Sequence, residues 1–248
     1  MKAVIAVAFI SLSVYLYNDI IDSENDMLND EKKGRPLPSG TVTAEFTRYV
    51  SMISGLIGLG ITFTINLYCA FFSFVFVLLY FVYSYPLIHL KKRFIVKESV
   101  VTSGFLLTSV IGSYAVSGRF VPNALYAGFL NALLSFALQP AFNDTTDIEA
   151  DRAQGVITLA MVLSWKSKMR LLVLVMLFVM TLTPLTYVQF GYSMILPIYV
   201  VAGSLIFLGY VTPIINKYDQ VRASNARKLI VIYYTFLQIF AVVGSLQL

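Results

Sequence analysis

The sequence predicts an all-α fold, a polytopic transmembrane bundle of about eight helices, carried by a single integral-membrane domain over residues 1–248. Three observations predict it. The chain is 58% hydrophobic and only 12% charged, with a mean hydropathy of +0.78, whereas a soluble domain carries about 25% charged residues. Eight apolar segments reach the roughly 20 residues that a membrane-crossing helix needs. None of them alternates polar and apolar residues, as the strands of a membrane barrel would.

In chain order the segments are 2–20, 44–65, 67–89, 98–117, 122–142, 169–189, 192–214 and 227–247. The first follows Met1-Lys2 but has no small-residue cleavage site, so it reads as a retained helix and not a signal peptide. The third holds Cys69, the single cysteine, which excludes a disulfide or thiolate metal site and reads as a packing residue. Several segments contain Gly, Pro, Ser or Thr, as membrane helices commonly do.

The connections fix the orientation. Of the 18 Lys and Arg residues, 16 lie in or beside four connections, near residues 32–48, 91–97, 152–170 and 217–228. The connections near 66, 119 and 190 hold only Arg119. Basic loops stay cytoplasmic, so these four face the cytoplasm of a multi-pass cell-membrane protein and both chain ends face outward. The net charge of +5 is then a topology signal. No basic patch on a folded polar surface is present, so a nucleic-acid partner is not expected.

The acids are concentrated twice over. Asn18-Asp19-Ile20-Ile21-Asp22-Ser23-Glu24-Asn25-Asp26 and Asn143-Asp144-Thr145-Thr146-Asp147-Ile148-Glu149-Ala150-Asp151 share the pattern N-D-x-x-D-x-E-x-D. Ten of the 13 acidic residues lie between Asp19 and Glu31 or between Asp144 and Asp151. In an apolar chain such clusters are costly unless cations sit among them. On a continuous helix, Asn18, Asp22 and Asp26 share one face, as do Asn143, Asp147 and Asp151; Asp19 and Asp144 add neighbours three residues from Asp22 and Asp147. Like charges at these spacings repel when unpaired. Mg²⁺ suits such a site, because it takes a few carboxylates and completes its shell with water and phosphate oxygens. No His or Cys ligand is called for, which disfavours zinc. Both motifs fall at cytoplasmic helix ends. Lys32, Lys33 and Arg35 follow the first motif, Arg152 follows the second, and Lys91, Lys92 and Arg93 share their side of the membrane. These cations suit diphosphate oxygens and a departing pyrophosphate, while Lys166, Lys168, Arg170, Arg222, Arg227 and Lys228 read as ordinary cytoplasmic-side residues.

Together with Arg35-Pro36-Leu37-Pro38-Ser39-Gly40 and Asp151-Arg152-x-x-Gly155-x-x-Thr158-Leu159, the two motifs resemble those of the UbiA superfamily of intramembrane prenyltransferases. The resemblance implies two pseudo-repeated halves around a central cavity, with the motifs facing each other under cytoplasmic loops. It implies Mg²⁺-dependent transfer of a prenyl group from a prenyl diphosphate to a lipid-like or aromatic acceptor. Asp22, Asp26, Asp147 and Asp151 would be catalytic, and Asn18, Asp19 and Asp144 would join them in holding metal. Asn18, Lys33, Arg35, Lys91, Lys92 and Arg152 would bind the diphosphate. Tyr83 and Tyr85 would line the prenyl cavity or serve as ordinary membrane packing and interfacial aromatics.

Three features depart from the family. Its members usually have nine helices, with the first motif ending the second; here the motif ends the first apolar segment, so the comparison implies a misassigned start or an eight-helix or inactive member. The family's Tyr-x-x-x-Lys becomes Tyr85-x-x-x-His89, with Lys91 and Lys92 just beyond. Gly-x-x-Thr-Leu is followed by Ala160 in place of Pro. Within the superfamily the second motif and the Arg35–Gly40 run are most similar to archaeal digeranylgeranylglyceryl phosphate synthases, which make ether lipids. That implies a geranylgeranyl donor and geranylgeranylglyceryl phosphate as acceptor. Quinone-precursor, chlorophyll-type and phosphoribose acceptors are the alternatives. Readings from other classes are a truncated, non-catalytic prenyl-lipid-binding protein and a transporter. The latter fits poorly, since both motifs sit at the membrane edge and transporter sites lie near the midplane.

Overall fold

The computed structural model describes residues 1–27, 32–153 and 155–246, the side chains of residues 25, 150 and 153 excepted. Asp30 and Glu31, at the end of the first acidic run, lie outside the described residues. Among the described residues every regular element is helical. Ten α-helices follow in order: α1 (Lys2–Asp26), α2 (Ala44–Phe63), α3 (Leu67–Ser84), α4 (Val96–Ser117), α5 (Pro122–Leu138), α6 (Ile148–Ala153), α7 (Leu159–Val162), α8 (Trp165–Thr186), α9 (Ile195–Val211) and α10 (Gln220–Ser245). Among the described residues, eight helical spans are long and apolar enough to cross a membrane, as the sequence predicts.

The boundaries move for local reasons. The helix expected to end at residue 20 continues to Asp26, carrying the whole first motif on α1. The helix expected over 67–89 stops at Ser84, because Tyr85 is extended ahead of Pro86. The one expected from 227 starts at Gln220, where the Asp219 carboxylate accepts a hydrogen bond from the Arg222 amide at 2.7 Å. Asn66 caps α3 in the same way, accepting from the Cys69 amide at 2.8 Å. After α5 the chain widens into a π-turn over Gln139–Asn143. Pro140 has no amide to donate there, so the regular ladder cannot continue.

Contacts divide the chain into two compact units. The first comprises residues 1–121 and 147–158. In it α1 packs along α2 and against α3, and α3 packs on α4. A Cβ on Gly58 would stand 2.7 Å from the Ile10 side chain and 2.9 Å from the Ala6 carbonyl oxygen. Only glycine lets α1 and α2 approach that closely. The Ser51 hydroxyl donates to the Ser13 carbonyl at 2.8 Å on the same seam. Tyr80 donates to the Val101 carbonyl at 3.0 Å, and Asn66 to the Tyr114 carbonyl at 2.9 Å, tying α3 to α4. Cys69 is fully buried on this seam, as a packing residue should be.

The second unit comprises residues 122–146 and 159–248. Its core joins Leu134 of α5, Leu172, Met176 and Val179 of α8, Leu196 and Val200 of α9 and Leu237 of α10. Several polar groups are paired across this unit: Tyr126 with Thr186 at 2.8 Å, Ser204 with Tyr233 at 2.9 Å, and the Trp165 indole with the Ile214 carbonyl at 2.5 Å. In both units the outward residues are large and apolar, among them Met52, Leu56, Leu174, Ile198 and Ile206. Water would penalise such a surface; a bilayer does not.

Candidate active site

The site starts from the C-terminal residues of α1. Because the helix runs unbroken to Asp26, Asn18, Asp22 and Asp26 project from one face, as their spacing predicts. The placement carries a cost, since carboxylates in the last turns meet the negative end of the helix dipole. The structure meets that cost with the chain's own cations. Lys91 is ion-paired with Asp22. Arg35 reaches Asp26 at 3.1 Å and Asp19 at 3.4 Å. Lys32 sits 3.8 Å from Asp26. Asn18 is held by both ends of its amide: its NH₂ donates to Asp22 at 3.0 Å, and its carbonyl accepts from the Ser84 hydroxyl at 2.7 Å. The amide therefore orients Asp22 as much as it offers a ligand.

Turns deliver these cations. Pro36 and Pro38 lead into Gly40, whose φ of +75° suits glycine, and the Val42 amide donates to the Pro36 carbonyl at 3.1 Å. That turn folds Arg35 back over α1. On the other side, His89 adopts a left-handed φ of 47° and starts the 3₁₀ turn Leu90–Lys92. The reversal brings Lys91 to Asp22, where it is buried.

The second motif does not form the predicted continuous stripe. It breaks into the 3₁₀ turn Asp144–Thr146 and the short α6, because the π-turn before it has already unwound the helix. Asn143 is exposed and donates to the Gln139 side chain at 2.8 Å, so it is not on a face with Asp147. Asn143 and Asp144 belong to the second unit, and Asp147 and Asp151 to the first. Buried Asp144 lies in the field of Lys168, whose ammonium donates to Thr145 at 2.9 Å. Lys168, read from the sequence as an ordinary cytoplasmic-side residue, therefore serves this motif.

Asp147 and Asp151 join the α1 carboxylates within the first unit. Lys32 donates to Asp147 at 2.9 Å while lying 3.8 Å from Asp26, so one ammonium bridges both motifs. Lys97, in the first turn of α4, pairs with Asp151 at 3.1 Å. Lys33, Lys92 and Arg152 are exposed. Sequence reasoning gave Lys97 no role of its own, because it sits at the edge of a basic loop whose members look alike. Its only distinguishing sign was its place immediately ahead of the apolar segment 98–117.

Burial lifts the Asp26 carboxyl above the ordinary Asp range. Lys32 and Arg35 pull it down, while Asp22 and Asp147 push it further up. His89 is held below the usual imidazole range by burial and by Lys91 and Lys92, which suits a neutral ring. Among the described residues no three carboxylate, imidazole or thiol side chains converge into a ready-made metal cage. The cations that the acidic clusters demand are supplied by lysine and arginine. The donor set still fits Mg²⁺, which needs only one or two carboxylates beside water and phosphate oxygens.

A family model for UbiA prenyltransferases matches residues 2–238. The chain belongs to the UbiA prenyltransferase family. It is accordingly an enzyme, a prenyltransferase, and a multi-pass membrane protein. Among relatives, it is 28% identical to a digeranylgeranylglyceryl phosphate synthase of Sulfolobus acidocaldarius, over 98% of this chain and 85% of that protein. A UbiA homolog of Aeropyrum pernix superimposes with a TM-score of 0.73 at 17% identity, covering 99% of this chain and 89% of the other. A UbiA homolog of Archaeoglobus fulgidus bound to DMAPP and Mg²⁺ superimposes with a TM-score of 0.68 at 14% identity, covering 98% and 87%. At these identities the solved structures establish the fold.

Against the UbiA pattern, the His89 departure finds a structural account. Tyr85 accepts from the His89 amide at 2.7 Å and its ring stacks on Phe81 at 5.4 Å. The left-handed turn at His89 then carries Lys91, two residues on, to the first motif. Tyr83 packs with Tyr80 at 6.3 Å against the first unit's small core, which fits a packing role.

Proposed function

We propose that the chain transfers a geranylgeranyl group from geranylgeranyl diphosphate to geranylgeranylglyceryl phosphate, forming a diether lipid, with Mg²⁺ as cofactor. The observation that carries the reading is the Lys32 bridge between Asp26 and Asp147, which gathers acids of both motifs around one cation position. The acceptor is supported by near-full-length relatives that are digeranylgeranylglyceryl phosphate synthases. Mg²⁺ with a prenyl diphosphate is supported by the Archaeoglobus homolog. The distribution of Lys and Arg supports a cytoplasmic site in the cell membrane, with both units working as one catalytic domain.

In this reading Asp22, Asp26, Asp147 and Asp151 hold the metal, assisted by Asn18, Asp19 and Asp144. Mg²⁺, when bound, supplies charge neutralisation at the diphosphate and eases its departure. Lys91 and Arg35 exchange their carboxylate partners for phosphate oxygens, and Lys33, Lys92 and Arg152 meet the diphosphate from the surface. The allylic C–O bond then breaks with its electron pair leaving on pyrophosphate. The acceptor's hydroxyl oxygen forms the new C–O bond and gives up its proton to the departing pyrophosphate.

The test is pyrophosphate release from geranylgeranyl diphosphate by the full chain in detergent, with Mg²⁺ or EDTA, and with or without geranylgeranylglyceryl phosphate. The expected result is release that requires both Mg²⁺ and this acceptor and yields a diether. Release indifferent to this acceptor would sink the ether-lipid assignment and keep the metal-dependent transfer.

A further inference from the structure

The face of α1 opposite the carboxylates borders a second feature. A cavity of about 520 Å³ opens between α1, α2 and α3, wholly within the first unit. Ligand pockets span roughly 300–1,000 Å³. Val14, Met52, Val77 and Phe81 give it apolar walls, and Arg48 is its one charged lining residue. The glycine seam at Gly55 and Gly58 draws α1 and α2 together, and the cavity lies beyond it, around Ile21, Arg48 and Pro86. Exposed Met52 and Phe81 make its mouth part of the outer surface.

Arg48 is exposed and makes no ion pair or hydrogen bond among the described residues, in contrast to Arg35 and Lys91. Glu45, one turn away, does not line the cavity. An unpaired guanidinium as the one charge on a mainly apolar pocket, at the basic-loop end of membrane helices, selects an amphipathic ligand. Its anionic group would pair with Arg48, for which bidentate phosphate contact is the favoured geometry. Its hydrocarbon would run along Val14, Val77 and Phe81. We infer that this cavity binds one phosphate-bearing lipid, on the far side of α1 from the site of transfer. Tyr17, whose ring stacks on Phe81 at 4.5 Å, and Ile20 and Ile21 line the same cavity, so the bound lipid braces the helix that carries the first motif.

The test needs neither metal nor prenyl substrate, so it stands apart from the proposed reaction. Purified full chain in neutral detergent with EDTA is titrated with phosphatidic acid, or with phosphatidylcholine of the same tails, and bound lipid is counted by native mass spectrometry. Wild type is expected to keep one phosphatidic acid with about tenfold preference over phosphatidylcholine. Arg48→Gln should weaken it about tenfold, as loss of a charge-assisted phosphate contact does, and Lys217→Gln on the second unit should not. Met52→Trp should block binding by filling the mouth. Equal retention of the two lipids, or full retention by Arg48→Gln, would overturn the inference. So would complete displacement by inorganic phosphate, which would make the ligand a free anion. A dimer that Met52→Trp breaks, with no lipid bound, would assign the surface to a second copy instead.

Discussion

Removing Lys97 tests whether the second motif is held by the chain's own cations. Lys97 and Asp151 are 3.1 Å apart, with side-chain exposures of only 13% and 15%. Exposed ion pairs contribute about 0–1 kcal/mol, and breaking a fully buried pair from one side costs about 3–5 kcal/mol. A pair this enclosed falls between, at about 2 kcal/mol for Lys97→Met. For a chain of 248 residues that lowers the midpoint of thermal unfolding by about 4–8 °C, taking the slope for domains of this size. The assay is thermal unfolding in detergent with EDTA, over a double-mutant cycle with Asp151→Asn. Asp151→Asn should be milder, because it leaves an ammonium that can reach toward solvent. The two changes together should be less destabilising than their sum, by about 1 kcal/mol or more. Strict additivity would show that the pair is not coupled and would refute the reasoning.

Three further outcomes follow from named contacts. Gly58→Ala should destabilise by about 1–3 kcal/mol through overpacking, since its Cβ meets Ile10 and the Ala6 carbonyl, whereas Gly60→Ala, with nothing within 4 Å, should be neutral or slightly stabilising; thermal unfolding of the pair decides. Asp26 has its folded carboxyl raised by burial, so its linked contribution is fully present below the unfolded carboxylate value and is lost as pH rises through the higher folded value. Asp26→Asn should therefore stabilise the metal-free protein at neutral pH, with the gain fading as pH falls into the ordinary carboxylate range; a gain that grew on acidification would contradict the sign. Asp22→Ala and Asp147→Ala should each lower diphosphate turnover by about 100-fold or more with membrane insertion intact, and near-normal turnover in either would break the two-motif reading.

How much of this was legible in sequence differs between the two motifs. Along α1, period alone placed Asn18, Asp22 and Asp26 together, because an unbroken helix converts spacing into a face. The identical spacing in the second motif failed, since Pro140 sits ahead of it and the helix unwinds there. A repeated pattern does not guarantee a repeated conformation when the preceding turn differs. The eight spans were readable from hydropathy because a bilayer enforces length. Their ends were not, because capping by Asn66 or Asp219 is a matter of one side chain. The acid partners of Lys97 and Lys32 were hidden for another reason. Positive-inside loops are rich in lysine for topological reasons, and nothing in one loop indicates which lysine will meet an acid 54 or 115 residues away.

The pairings also change the argument from charge to metal. A cluster of acids in an apolar chain implies a cation, yet here lysine and arginine already neutralise Asp22, Asp26, Asp147 and Asp151. The carboxylates therefore do not require metal for stability. In the proposed reaction they would gain an exchange: a metal–diphosphate complex would bring positive charge for the carboxylates and negative charge for the displaced ammonium and guanidinium groups. Either half alone would leave buried charge unpaired. Metal without diphosphate strands the cations, and diphosphate without metal adds anions beside acids. Binding of the two should accordingly be strongly mutual, each raising the affinity for the other by the same factor. Isothermal titration of Mg²⁺ with and without a non-hydrolysable prenyl diphosphate measures that factor directly. Independent binding would mean that the basic side chains keep their carboxylates when the ligands arrive.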